Sequence, residues 1–259
     1  MRPHDHIGWA FTGTSEFAAL AAPFLAEGAA LGERMMYVAQ DPDPQDMAGL
    51  ADVVGPGALV VSNTAEVYGT GCIVDPERQR AVYAAAVDDA LAAGFSGVRV
   101  AADGTPLVAS QERLDALLRW EVVADRMLSE YPITALCAFD QEEVDAGTLR
   151  RLAALHPLSS ASGPQPQFRL FSAAGDLWAE GQLDPTAVMQ LWRAIEDLPS
   201  GTGVQVDLST ATLTSHAVLT GLGQLCRTGV RVTIRGESAA IGKLRHWYSP
   251  AACPALQEA

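Results

Sequence analysis

Residues 6–17 read HIGWAFTGTSEF, and the passage from the apolar start of this stretch to its polar end decides what the rest of the chain builds. Apolar residues run through Trp9, Ala10 and Phe11. A Thr-Gly-Thr-Ser turn follows, and then FAALAAPFLAEGAALG continues with helical spacing up to Gly32. A strand that feeds directly into a helix opens an α/β unit, and the turn between them is where such units hold phosphate. A phosphate-binding loop would read GxxxxGK[ST] at this point. The sequence reads FTGTSEF instead, and the first and only lysine of the chain is Lys243. Glu16 sets a negative charge beside the helix start, where it substitutes for an anion instead of attracting one. ATP hydrolysis is not expected here.

The same alternation continues outward. RMMYVAQ (34–40) is an apolar strand, followed by a loop rich in Asp and Pro, and ALVVSN (58–63) is another strand. PERQRAVYAAAVDDALAAG (76–94) has Pro near its start and Gly at its stop, the punctuation of a helix. GVRVAAD (97–103) and ITALCAFD (133–140) are strands on either side of a long amphipathic helix, 110–131, and EEVDAGTLRRLAALHP (142–157) closes the series as a helix. Apolar strands alternating with helices predict a parallel sheet covered on both faces.

HPLSSASGPQPQF (156–168) interrupts this rhythm with three Pro, three Ser, one Gly and no charge. Residues 1–157 carry 23 acids and 10 bases, while 158–259 carry 8 and 7, so the charge balance changes at the same place. The reading is a first domain over 1–157, a linker over 158–167 and a smaller α/β domain over 168–259. The latter begins with two short strands around an Ala-Gly-Asp turn. It continues with a helix (PTAVMQLWRAIEDL), a strand (GVQVDLS), a helix starting near Ser215, a strand (VRVTIRG) and a last helix near SAAIGKLRHWY.

Net charge is −14 over 259 residues, with 31 acids against 17 bases; such a chain repels phosphate backbones and anionic lipid, so neither nucleic acid nor a membrane surface is expected as partner. The apolar runs are too short to span a bilayer, and MRPHDHIGW lacks the features of a secretion signal. Cys72, Cys137, Cys226 and Cys253 are scattered without a CxxC pair, which fits reduced thiols in a cytoplasmic protein.

Ligands of open parallel sheets sit at the carboxyl ends of strands, where Asp41, Asn63, Asp103 and Asp140 fall, with Arg99 four residues before Asp103. Each of these acids can equally begin a turn. Trp9, Tyr68 and Trp120 are core residues that can also line an apolar pocket. His4 and His6 form an HxH pair, but no further ligand lies near them in sequence, so neither a metal nor a cofactor is expected. His156 reads as a helix C-terminal cation interacting with the dipole, and Cys137 as a buried, inert thiol without a cationic neighbour. No GxSxG, HExxH or GxGxxG follows a strand, so the chain is not expected to be an enzyme.

FLAEG…GER followed by an apolar run and YVA makes the first half similar to RecA-like or KaiC-like ATPases. The stretches HIGWAFTGTSEF, PFLAEGAALGERMMYVA, Tyr68, DPERQRAVY, GFSGVRVAAD, Arg119–Glu121, LCAFD and LHP resemble the MEDS sensory domain. The resemblance implies an ATPase-like fold without nucleotide machinery, used to sense small hydrocarbon-like molecules in regulatory proteins. It implies His6, Tyr68, Arg99, Asp103, Glu121 and Asp140 as ligand-binding positions.

GVQVDLSTATLTSHAVLTGLGQL resembles the core of a STAS domain, the fold of anti-sigma factor antagonists. That resemblance implies a partner-binding or regulatory loop over Asp207, Ser209, Thr214, Ser215 and His216. The family's phosphoacceptor serine falls at His216, so the usual acceptor is missing. Thr214 and Ser215 can accept phosphate at a helix start or simply cap the helix. The sequence thus leads to a cytoplasmic, non-enzymatic regulator of transcription, in which a MEDS-like sensor is joined to a degenerate STAS-like domain that meets an anti-sigma factor or similar protein. Two other readings stay open: an enzyme using Asp41, Asp103 and Asp140, and a nucleotide binder that does not hydrolyse.

Overall fold

The computed structural model describes residues 5–173, 176–196, 203–207, 212–213 and 231–235. The chain divides into two compact units, Met1–Gln165 and Pro166–Ala259.

In the first unit the strands are β1 (His6–Phe11), β2 (Arg34–Ala39), β3 (Leu59–Asn63), β4 (Val98–Asp103), β5 (Ile133–Asp140) and β6 (Leu158–Ser159). The helices are α1 (Gly13–Ala30), α2 (Ala48–Ala51), α3 (Thr64–Tyr68), α4 (Pro76–Ala92), α5 (Gln111–Glu130) and α6 (Ala146–Ala153). All strand pairings are parallel, in the order β3-β2-β4-β5-β1-β6. The sequence stretches 34–40, 97–103 and 133–140 coincide with β2, β4 and β5 to within a residue at each end. At the start, strand character stops at Phe11 and helix begins at Gly13, so the Thr-Gly-Thr-Ser turn is mostly absorbed into α1.

Helix starts follow local chemistry. Asp75 accepts from Arg78 N with Pro76 in the first turn of α4, Ser110 caps α5, and Asp145 accepts from Gly147 N and Thr148 N at α6. The period-2 alternation of each strand then sorts side chains onto two faces. Ile7, Phe11, Met35, Tyr37, Ala101, Leu136 and Ala138 pack against Phe17, Ala21, Phe24 and Leu25 of α1. His6, Val100, Ala102, Ala135 and Cys137 point the other way, towards α4 and α5. Connections that step towards β3 thus carry their helix on one face and those that return carry it on the other, as right-handed crossovers require.

Leu158–Ser159 pairs with β1 as a sixth strand, and Ser160 Oγ accepts from Ala10 N at 3.3 Å. These residues lack any alternation in sequence, and they join the sheet because β1 would otherwise leave an unpaired edge.

The second unit contains β7 (Phe168–Ala173), β8 (Asp176–Leu183), α7 (Pro185–Glu196), β9 (Gly203–Asp207), β10 (Thr212–Leu213) and β11 (Arg231–Arg235). β7 and β8 are antiparallel, while β8–β9, β9–β11 and β8–β10 are parallel. Gly181 has φ +90°, and a Cβ there would lie 2.4 Å from Gln167 O, so glycine is required at this crossing. The expected helices near Ser215 and 238–248 lie outside the described residues. Among the described residues no helix is long and apolar enough to cross a membrane.

Candidate functional site

The carboxyl ends of the first sheet are the expected ligand crevice, because β1 and β5 are neighbours whose following helices leave to opposite faces. The chain's own groups stitch that crevice shut. Thr12 N donates to Glu16 Oε2 at 2.6 Å and Gly13 N to Asp140 Oδ2 at 3.0 Å. Gln141 donates from its backbone N to Phe11 O at 2.9 Å and from Nε2 to Thr12 Oγ1 at 2.8 Å. Two carboxylates therefore occupy the N–H groups that a phosphate would need. Their negative charge adds repulsion to the loss of donors.

The other strand-end acids serve the backbone in the same way. Asp140 Oδ1 accepts from Glu142 N, and Asp103 Oδ1 accepts from Thr105 N at 2.9 Å. Burial pushes the Asp103 carboxyl above its ordinary pKa, and its bonds from Thr105 offset only part of that. Asn63 caps α3 and also donates to Gln40 O, while Asp41 is exposed.

Arg99 is fully buried under α1, on the face opposite His6. Its Nε donates to Glu33 at 2.6 Å, its Nη1 to Glu27 at 3.2 Å, and its guanidinium stands 4.9 Å from the Phe24 ring centre. Gly28 makes this possible, since a Cβ there would meet Arg99 Cδ at 2.6 Å. The structure does not bring Arg99 together with Asp103, because four residues of strand separate them by roughly 13 Å.

His6, Tyr68 and Glu121 do meet, between the sheet and α5. His6 Nε2 lies 3.2 Å from Glu121 Oε2, and its Nδ1 lies 3.2 Å from Asp125 Oδ1. Glu121 and Asp125 are one helical turn apart on α5, so both face the same strand residue. His156, just beyond α6, places Nε2 3.4 Å from the same Glu121 oxygen, with the two imidazole centroids 4.2 Å apart. Cys137 Sγ lies 3.7 Å from His6 Nε2. His6, Glu121 and His156 are at most 1% exposed.

The electrostatics follow from this packing. Burial opposes charge on His6, but the bond to Asp125 and the neighbouring Cys137 and Glu121 outweigh it and raise its pKa well above the usual value. Burial, then the neighbouring His6 charge, pushes His156 down to about 4, so His156 is neutral at pH 7. That corrects the reading of His156 as a helix-end cation. Its Nδ1 does reach the last turn, 2.8 Å from Leu152 O, but as a neutral donor. Burial would raise Glu121, yet His156 and His6 hold it below the ordinary carboxylate value.

Cys137 does have an imidazole beside it, unlike the neighbour-free thiol expected from sequence. Cys137, His6 and Asp125 even follow the order nucleophile, base and orienting acid. Burial and the Glu121 charge nevertheless raise the thiol pKa, which disfavours the nucleophilic form.

Next to this cluster lies a small cavity. His6, Cys137, Tyr68 and Tyr83 bring polar groups to its lining, which is otherwise apolar and includes Val100, Trp120 and Met127. The centre of a water-sized sphere has about 20 Å³ to move in, enough for one water or a very small ligand. Tyr68 and Tyr83 share a hydroxyl–hydroxyl bond of 2.8 Å, and Tyr83 stacks on Trp120 at 5.9 Å. Burial raises both phenol pKa values, so both stay neutral. Trp9 belongs elsewhere, half-buried against the core under α1.

The sequence reading missed Asp125, Tyr83 and the convergence of Cys137 and His156. Only Asp125 carried a signal, its i+4 spacing from Glu121 on the face of α5 that also bears Leu117, Ala124 and Leu128. Of the C-terminal loop, Asp207 ends β9, while Ser209, Thr214, Ser215 and His216 lie outside the described residues.

Comparison with known proteins adds three findings. No curated protein sequence matches the chain. Among solved structures, the flagellar accessory protein FlaH from Methanocaldococcus jannaschii is similar at 15% identity and a TM-score of 0.39, over 70% of this chain and 79% of that one. Residues 5–157 match the family described as MEDS, the methanogen/methylotroph, DcmR sensory domain. Because that match spans more than half of its length, the chain belongs to the MEDS family.

Proposed function

We propose that this chain is a non-enzymatic, cytoplasmic regulatory protein whose first unit senses a small, largely apolar ligand. A regulatory sensing role is what a sensory-domain family gives its members. The observation that carries the finer reading is the cavity beside His6, whose mostly apolar lining also holds an imidazole, a thiol and two phenols. A ligand there would be small and would satisfy one or two polar contacts. The crevice at the strand ends supports this choice, since Glu16 and Asp140 already fill the donors a nucleotide would use.

The second unit is proposed to bind a protein partner, as an anti-sigma factor antagonist of the STAS type does, through the segment around Asp207 and Ser215. The ligand switches the protein only if it binds two arrangements of the chain with different affinity.

Thermal melts of the full chain with a panel of one- to four-carbon alcohols, halides and ketones, beside ATP and GTP, test the sensing reading. A stabilising small compound whose effect is lost in Tyr68→Trp, which fills the cavity, is the expected result. Stabilisation by nucleotide alone would count against it. For the partner reading, pull-downs with the full chain and with a chain ending at Gln165 should differ, and identical partners would refute it.

A further inference from the structure

His6 from β1, Glu121 from α5, Cys137 from β5 and His156 from beyond α6 each offer one donor atom, and these four atoms all lie within 4.8 Å of one another. Two imidazoles, a carboxylate and a thiol are the donor types that borderline divalent metals take, in contrast to the all-oxygen sets of magnesium and calcium. The spacing agrees. Metal–ligand bonds of about 2.0–2.3 Å at tetrahedral angles place donor atoms about 3.3–3.6 Å apart. The distances here are 3.2 Å from His6 Nε2 to Glu121 Oε2, 3.4 Å from His156 Nε2 to Glu121 Oε2, and 3.7 Å from Cys137 Sγ to His6 Nε2.

Outer contacts turn the donors inward. Leu152 O can only accept, so the bond to it comes from His156 Nδ1–H and leaves Nε2 facing the cluster. Asp125 orients His6 in the same way through Nδ1. A carboxylate or backbone carbonyl behind each histidine is the usual support of metal-bound imidazoles. An independent sign is Glu121 Oε2, a buried carboxylate oxygen that no hydrogen bond of proper angle satisfies.

We propose that His6 Nε2, His156 Nε2, Glu121 Oε2 and the Cys137 thiolate bind one divalent ion of the zinc class. On binding, the proton of the Cys137 thiol and any Nε2 proton of His6 pass to solvent, and the ion's charge offsets those of the two anionic ligands. His6 and Cys137 also line the cavity, so the ion would lie beside that small space. This inference does not rest on the sensing proposal, because the site would hold its ion whether or not the cavity takes a ligand.

The test is titration of the chelator-treated full chain with Co²⁺ alone, followed by competition with Zn²⁺. One Co²⁺ per chain is expected, with a thiolate-to-cobalt charge-transfer band and tetrahedral d–d bands, all displaced by Zn²⁺. Cys137→Ser should lose the charge-transfer band. Asp125→Asn, which acts through His6, should keep it while weakening affinity about 10–100-fold. Cys72→Ser, which alters a thiol outside the cluster, should change neither. A folded wild-type chain that takes up no stoichiometric Co²⁺ overturns the site and leaves a proton-sharing network in its place. A band that survives Cys137→Ser in a folded chain overturns it too, and points to Cys226 or Cys253. Either failure leaves the thermal-melt result for apolar compounds untouched.

Discussion

Replacing Gly8 by Ala tests whether β1 and His156 are packed as closely as the site requires. A Cβ at Gly8 would lie 2.9 Å from His156 Cγ, 3.0 Å from Nδ1 and 3.3 Å from Cβ. Non-bonded carbons prefer about 3.5–4.0 Å, so the ring would have to retreat by roughly 0.5–1 Å. It has nowhere to go. Its Nδ1 is bonded to Leu152 O at 2.8 Å, the His6 ring stands 4.2 Å away, and the residue is fully buried. Overpacking of this kind costs about 1–3 kcal/mol. Removing a glycine from a strand interior returns about 0.5–1 kcal/mol. The net expectation is a loss of up to about 2.5 kcal/mol, seen as a melting temperature lower by up to about 10 °C for a chain of this size. The assay is thermal and urea unfolding of the full chain, read by circular dichroism, on wild type, Gly8→Ala, His156→Ala and the double variant. With the imidazole gone the new methyl enters the space it left, so Gly8→Ala in the His156→Ala background should be neutral or stabilising. The coupling between the two sites should therefore be at least about 1 kcal/mol. Equal costs in both backgrounds, or a single variant more stable than wild type, would refute the close packing and with it the placement of His156.

Three further outcomes follow from other contacts. Gly28→Ala, which would add about 1 kcal/mol at an ordinary helix interior, should instead destabilise by about 1–3 kcal/mol, because the new methyl meets an Arg99 side chain pinned by Glu33 and Glu27. Gly49→Ala, with open space around it, is the control in the same melts. Tyr83→Phe strands the buried Tyr68 hydroxyl and should cost about 1–3 kcal/mol, whereas Tyr68→Phe combined with Tyr83→Phe should recover most of it; a double variant worse than the single would rule out the hydroxyl pair. Asp103 has its folded-state pKa raised by burial, so its contribution is favourable while it is protonated, below its unfolded pKa near 4, and is lost as pH rises through the folded value. Asp103→Asn should therefore gain stability relative to wild type between pH 4 and pH 8, and a difference that shrinks over that range would contradict the raised pKa.

Most of the first sheet was legible because strand and helix signals are local. ITALCAFD reads as a strand and forms β5 over the same eight residues, since its apolar run and its flanking turn residues need no distant partner to be recognised. The absence of lysine before Lys243 and the charge at Glu16 likewise disposed of a phosphate loop, and the bond from Thr12 N to Glu16 is the local consequence. Leu158–Ser159 was not legible, because it is held only by β1, some 150 residues earlier. Arg99 misled for a related reason: its nearness to Asp103 in sequence is a distance along an extended strand, and its partners Glu27 and Glu33 come from α1 and the turn after it.

The sequence by itself determined the alternating strand and helix order and the absence of a GxxxxGK[ST] loop after the first strand, because each is written within a few consecutive residues. Only the tertiary structure decided that His6, Glu121, Cys137 and His156 share one buried point. They arrive from two strands, a helix and the segment after another helix, and their register is set by sheet pairing and by which face each crossover covers. No spacing along the chain encodes that. Their chemistry exists only once burial removes water and forces each group to answer to the others.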